Sequence, residues 1–207
     1  MKIQPIYITL AIVAAVLIIV CGMGCSTYNG MVELDEKANQ AWANVQNQYQ
    51  RRADLIPNLE ATVNAATQNE KAGMAEVTKM RTGYQDLNNA LDSAKLYGTP
   101  APGTPEAVAQ AKAQQRVDEA YKIYINAVHE AYPNFKFPES FMKMQDELAG
   151  TENRVATERT RYNEAVKDYN VKIRRFPAVI FAGIFNFDPK EPFSADAGAQ
   201  NAPKVFR

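Results

Sequence analysis

Counting sevens from Phe141 lands on Leu148, Val155, Tyr162, Tyr169 and Phe176, an apolar or aromatic residue at every step. A period of seven held that long fits an amphipathic helix, because two turns bring the same face round again. The spacing therefore predicts one helix of about 35 residues with an unbroken inner seam. Beside that seam lie Glu152, Asn153, Arg154, Glu158, Arg159, Asn163 and Asn170. Such polar groups at helix–helix boundaries need partners, since an unpaired amide or charge away from water is costly.

A second seam runs through Tyr28, Asp35, Trp42, Tyr49 and Ile56, with Met31, Ala38 and Val45 beside it. Trp42, the only tryptophan, is expected to anchor the core. Asp35 interrupts the apolar pattern, and a charge there predicts a partner such as an arginine on a facing helix. Pro57 lacks an amide and crowds the preceding turn, so the chain is expected to reverse there. On that reading a second helix runs from about Pro57 to Tyr97, with Leu59, Val63, Leu87 and Leu91 inside. A kink at Pro57 instead would leave three long helices. Arg51, Arg52 and Asp54 beside it read as a salt-bridged corner or as a ligand-binding cluster.

Three prolines and two glycines in the eight residues from Gly98 to Pro105 mark an exposed, mobile loop. Pro105-Glu106 then opens a third helix that reaches about Tyr132. Tyr132, Phe135 and Phe137 are placed to plug the next corner, and Glu139 starts the fourth helix. His129, the single histidine, reads as an ordinary surface residue.

The chain ends are apolar in two different ways. Ile6 to Met23 carries no charge and is long enough to cross a bilayer as a helix. An uncleaved anchor is the favoured reading, because the stretch exceeds a usual signal-peptide core and only Lys2 precedes it. A lipoprotein lipidated at Cys25 and a cleaved soluble form are the alternatives. Lys2 before the span and Glu33, Asp35 and Glu36 after it predict a cytoplasmic N-terminus and an extracytoplasmic bundle. Phe176 to Phe187 is also uncharged but too short to span. It would cap the bundle, lie in the bilayer interface or dock on another subunit, with Phe176, Ile180, Phe181, Ile184, Phe185 and Phe187 as the contacting residues. Beyond it the chain turns extended, and the Ala/Gly/Gln-rich tail is expected to be poorly ordered without a partner.

The expected architecture is all-α: an N-terminal transmembrane helix followed by an antiparallel up-and-down four-helix bundle with long helices. Residues 1–27 form the anchor, 28–175 the bundle and 176–207 the apolar segment and extended tail.

Composition excludes several functions. Lys+Arg and Asp+Glu both number 23, so no net field draws nucleic acid. One histidine and two cysteines cannot furnish a closed zinc site, and no Gly-rich phosphate loop or nucleophile elbow is present. No cofactor, metal or catalytic group is therefore expected. The cysteines, Cys21 and Cys25, read as small apolar residues of the span.

Gly150-Thr151-Glu152-Asn153-Arg154-Val155-Ala156, Tyr162-Asn163, Tyr169-Asn170 and Arg174-Arg175-Phe176-Pro177 together resemble the second half of the LemA family signature. Its first half is similar to Tyr28-Asn29, Ala41-Trp42-Ala43-Asn44-Val45 and the run from Gln50 to Leu59. The resemblance covers about Tyr28 to Phe187. It implies a membrane-anchored helical protein without an established activity, and one relative in magnetosome-forming machinery.

Two functions follow. The first is a non-enzymatic scaffold that holds the bilayer through residues 6–24, forms homo-oligomers and organises the cell envelope. The second is a tethered binding module for a peptide or small ligand, using a polar inter-helix seam of Arg51, Arg52, Asp54, Glu152, Asn153, Arg154, Asn163 and Asn170. An enzyme working through Glu152 or Glu158 is a distant third, since a carboxylate catalyst needs a second group and a pocket.

Overall fold

The computed structural model describes residues 5–67, 74–133 and 137–193. These form five helices: α1 Pro5–Thr67, α2 Met74–Lys95, α3 Pro105–Ala131, α4 Glu139–Arg174 and a short α5 Ala178–Phe185. The architecture is an antiparallel four-helix bundle whose first helix begins in the apolar N-terminal stretch. α1 packs along α4 and α2 along α3. Antiparallel order shows in the cross-links: Arg51 meets Glu147 while Tyr49 meets Arg159, and Lys79 meets Glu130.

The bundle is not uniform along its axis. At the far end all four helices share one core built on Ile56, Leu59 and Val63 of α1, Leu87 and Leu91 of α2, Val117, Tyr124 and Val128 of α3, and Phe141 and Leu148 of α4. In the middle layer Ala38, Trp42, Val45 and Tyr49 meet Val155, Tyr162 and Val166, with Ala107 as α3's contribution. At the base Met31, Tyr169 and Ile173 are joined by Ala178 and Ala182 of α5.

The inner positions of α4 follow the sevens: Phe141, Leu148, Val155, Tyr162 and Tyr169 are all buried. Phe176 is not, because α4 ends at Arg174 and Phe176 lies beyond its cap, 81 % exposed. Tyr132 and Phe137 do close their corner, with Phe137 stacked on Phe141 at 4.4 Å. Phe135 lies outside the described residues. His129 is exposed and presents an edge to Phe137.

The chain does not reverse at Pro57. α1 runs through it as one helix of 63 residues, about 95 Å at 1.5 Å per residue. The inner stripe explains why: Ala38, Trp42, Val45, Tyr49, Arg52, Ile56, Leu59 and Val63 alternate steps of four and three without a slip, and all are buried. Pro57 itself is exposed. The lost Pro57 amide thus falls on the outer face, while burial on the inner face holds the helix together. Leu59 and Val63 accordingly belong to α1, and the second helix begins only at Met74.

The loop from Gly98 to Thr104 is also more constrained than its composition predicts. Trp42 Nε1 donates to the Pro100 carbonyl at 2.8 Å, and Gln110 Nε2 to that of Gly98 at 2.7 Å. Thr104 caps α3 by accepting from the Ala107 amide, with Pro105 in the first turn.

Pro57→Ala should raise stability by about 1–3 kcal/mol, because it restores an interior helical hydrogen bond at an exposed position. Thermal melting followed by far-ultraviolet circular dichroism checks this. A lower melting temperature would mean that the proline holds a bend the packing requires.

Candidate functional site

The α1–α4 pair extends past the end of the α2–α3 pair, and something must cover the aromatics left there. The cover is the chain's own C-terminal segment. After α5, Asn186 adopts a left-handed conformation (φ 57°). Residues 187–193 then run extended back up the groove between α1 and α4. Asn170 brackets the backbone of Lys190, donating to its carbonyl at 2.8 Å and accepting from its amide at 2.9 Å. One heptad earlier Asn163 does the same to Phe193, at 3.0 and 2.8 Å. The phenol preceding each asparagine joins in: Tyr169 donates to the Asp188 carbonyl at 2.9 Å and Tyr162 to that of Glu191 at 3.2 Å.

Two side chains of this strap are also read. Lys190 Nζ lies 3.0 Å from Asp35 and 3.3 Å from Asn39 Oδ1, and over the Tyr169 ring at 5.4 Å. Phe193 packs against Trp42 and Tyr162, with ring centroids 5.4 and 5.1 Å away, and under the Arg159 guanidinium at 5.3 Å. Arg159 in turn donates to the Tyr49 hydroxyl at 2.9 Å. Gly103 forms the wall: at φ +78°, an added Cβ would lie 2.5 Å from that of Lys190, and its carbonyl accepts from the Glu191 amide. Alongside the strap, Asn163, Lys167, Asn170, Arg174 and Pro192 line an open cavity of about 460 Å³.

The expected seam residues divide accordingly. Asn163 and Asn170 come together as paired clamps. Arg52 lies apart, deep between α1 and α3, where it pairs with Asp118 and donates to the Gln114 carbonyl at 3.0 Å and to its side-chain oxygen. Burial pushes its guanidinium down to about 10, and its Nε finds no partner. Nearer the base Gln46 and Gln110 exchange hydrogen bonds at 2.6 and 3.1 Å. Arg51 faces outward and pairs with Glu147 at 2.6 Å. Asp54 is exposed and accepts from Gln50 at 2.7 Å. Glu152 pairs with Lys122 at 2.9 Å on the surface. Asn153 and Arg154 are exposed, the latter folded over Gly150. Arg51, Arg52 and Asp54 therefore form no single cluster. Asp35 finds its cation on the strap, as Lys190, and not as an arginine on a facing helix.

Sequence reasoning left Asp35, Asn39, Gly103, Lys190 and Phe193 out of the site. Two signals pointed to them: a lone acid on an apolar seam, and two Tyr-Asn pairs seven residues apart on one face.

Of the apolar C-terminal residues, Phe181 and Phe187 pack on the base, while Phe176, Ile180, Ile184 and Phe185 stay largely exposed. Phe181 fits against Gly24, where an added Cβ would approach its ring to 3.0 Å. Phe185 meets the Tyr28 ring edge-on at 4.9 Å. Val20, Cys21, Gly24, Cys25, Phe181 and Phe185 line a crevice of about 470 Å³ at this junction. Residues 10–20 of α1 are exposed throughout, including Leu10, Val13, Leu17 and Ile18. Among the described residues no group of three or more His, Cys, Asp or Glu is arranged to hold a metal ion.

Fold and surface thus define a helical-bundle protein with one helix apolar and long enough to cross a membrane. The LemA family model matches residues 41–206, and the chain belongs to that family. It is similar to magnetosome protein MamQ 2 of Paramagnetospirillum magneticum, 26 % identical over 199 residues that cover 87 % of this chain and 70 % of the relative. Magnetosome protein MamQ of Magnetospirillum gryphiswaldense is 25 % identical over 222 residues, covering 98 % of this chain and 79 % of the relative.

Removing Arg52 tests the inter-helix pair. Arg52→Ala should cost about 3–5 kcal/mol by stranding Asp118 and Gln114, and Arg52→Met combined with Asp118→Leu much less; urea titration measures both. Alkaline pH tests the strap. Burial raises both Tyr162 and Tyr169, the latter from 10.0 to about 12, with Asp35 and Asp188 adding to it. The neutral phenols' contribution is complete below the unfolded value of 10.0 and is lost as pH rises through about 12. Melting temperature should fall over that window, and less steeply in Tyr169→Phe.

Proposed function

We propose that this protein is a non-enzymatic scaffold of the cell envelope, anchored through residues 6–24 and self-associating at the membrane. The observation that carries the reading is the continuity of α1. One helix passes from exposed, charge-free turns at residues 10–23 into the buried stripe that starts at Met31. A bundle so joined is held at a fixed distance from the bilayer, whereas a flexible linker would let it wander. Gly22 stands where a lipidation signal carries leucine, which favours an uncleaved anchor over lipidation at Cys25. Lys2 ahead of the span, with no lysine or arginine after it before Lys37, favours a cytoplasmic N-terminus and an extracytoplasmic bundle.

α5 supplies the associating surface. Val179, Ile180, Ile184 and Phe185 are 47–64 % exposed on a helix packed beside Gly24 and Tyr28, and Phe176 adds a further exposed ring. A concentrated apolar patch at the head of the span suits contact with lipid or with a neighbouring copy's span.

Light scattering of the detergent-extracted full chain should give a defined mass above one chain. Ile180→Asp with Ile184→Asp should lower that mass with no loss of helical signal, and removal of residues 1–27 should do the same. Single-chain masses for all three would refute self-association.

A further inference from the structure

We propose that the α1–α4 groove is a binding site for an extended segment bearing a cation and, three residues on, a phenyl ring, and that its partner is residues 188–193 of a second copy of this chain. The proposal rests on the scaffold reading and names the contact through which copies would join. In the structure the chain's own segment occupies the groove.

Recognition divides into two parts. Asn163 and Asn170 each exchange two hydrogen bonds with strap backbone, and their seven-residue spacing matches the three-residue step from Lys190 to Phe193. Two helical turns advance about 10.5 Å and three extended residues about 10 Å, so the clamps stay in register with any extended chain. Sequence selectivity comes from Asp35, which takes the cation, and from the Trp42–Tyr162–Arg159 surround, which takes the ring. Lys190-Glu191-Pro192-Phe193 is the only Lys-x-x-Phe run in the chain.

The same segment is built to detach. It belongs to no helix and hangs from a left-handed residue, Asn186, that ends α5. Asp188, Pro189, Glu191 and Pro192 are exposed, so the groove holds it by backbone and two side chains alone. A strap delivered by a neighbour makes the same contacts as the resident one, which is why exchange of identical elements is a low-cost route to oligomers. Tethering in one bilayer raises the local concentration of donors and favours it further.

A charge exchange tests this in the full-length chain. Two differently tagged proteins are prepared in detergent, one with Asp35→Lys and the other with Lys190→Asp. Each alone sets like charges against one another within its own groove. When mixed, each groove meets a matching strap only on the other protein. The two tags should then co-purify several-fold more than either variant does with a second tag of its own kind. Adding Phe193→Ala to both should return co-purification to that level. In the wild type, a synthetic peptide of residues 187–194 should compete.

Equal co-purification in the mixed and unmixed samples, with helical signal intact, would overturn the proposal. So would association indifferent to Phe193→Ala and to the peptide, which would assign the contact to the span and α5 and leave the scaffold reading standing. Conversely, matched pairing that survives Ile180→Asp with Ile184→Asp would confirm strap exchange while removing α5 as the associating face.

Discussion

The structure turns on a mismatch of helix lengths. α4 has 36 residues, α3 has 27 and α2 has 22, or about 54, 40 and 33 Å. The α1–α4 pair therefore outruns the α2–α3 pair by about 14–21 Å, and an uncovered two-helix ribbon would leave Trp42, Tyr162 and Tyr169 in water. Seven extended residues, 187–193, reach about 23 Å and occupy that gap. The polar seam of α4 follows from this. An extended strap carries unpaired amides and carbonyls to the groove, and Asn163 and Asn170 satisfy them where apolar side chains would strand them.

The far end of the bundle meets the opposite demand. Four helices are present, no strap is needed, and the core is apolar apart from Arg52, the glutamines near it and two threonines, Thr67 and Thr151, that bond to their own helix carbonyls. Arg52 sits on the inner stripe where a leucine would pack. An apolar residue there would slide readily past its neighbours, whereas a guanidinium shared between Asp118 and Gln114 fixes α1 against α3 in register. Clamps at one end and a fixed pair further up hold α1 as a single member along the whole bundle.

The periodic features were legible in the sequence. The sevens of α4 located its buried face from Phe141 to Tyr169 and overran only at Phe176, past the helix end, and Trp42 was recognisable as a core anchor. Pro57 misled because local propensity places a break there while the stripe from Ala38 to Val63 continues in register beneath it. Burial of Ile56 and Leu59 on either side outweighs one missing hydrogen bond on the outer face. The loop at Gly98 looked free because glycine and proline report the local backbone and nothing of Trp42, 58 residues away, whose indole donates to Pro100. The Tyr-Asn pairs were visible but their partner was not. An amide on a seam serves a facing helix or an extended strand equally well, and only the lengths of the other helices decide between them.

Strap and α5 are parts of one C-terminal segment. α5 leads directly into Asn186 and the strap, so a displacement of α5 is felt first by Phe187 and Asp188. The strap's two firm anchors, Lys190 and Phe193, lie further up the groove. Displacing α5 loosens the lower contacts while leaving those anchors in place. Withdrawing Phe193 instead uncovers Trp42 and Tyr162 in the middle layer and leaves α5 seated on Gly24 and Tyr28. The two ends of one C-terminal segment thus rest on different surroundings, one on Gly24 and Tyr28 of α1 and the other on the aromatics of the groove.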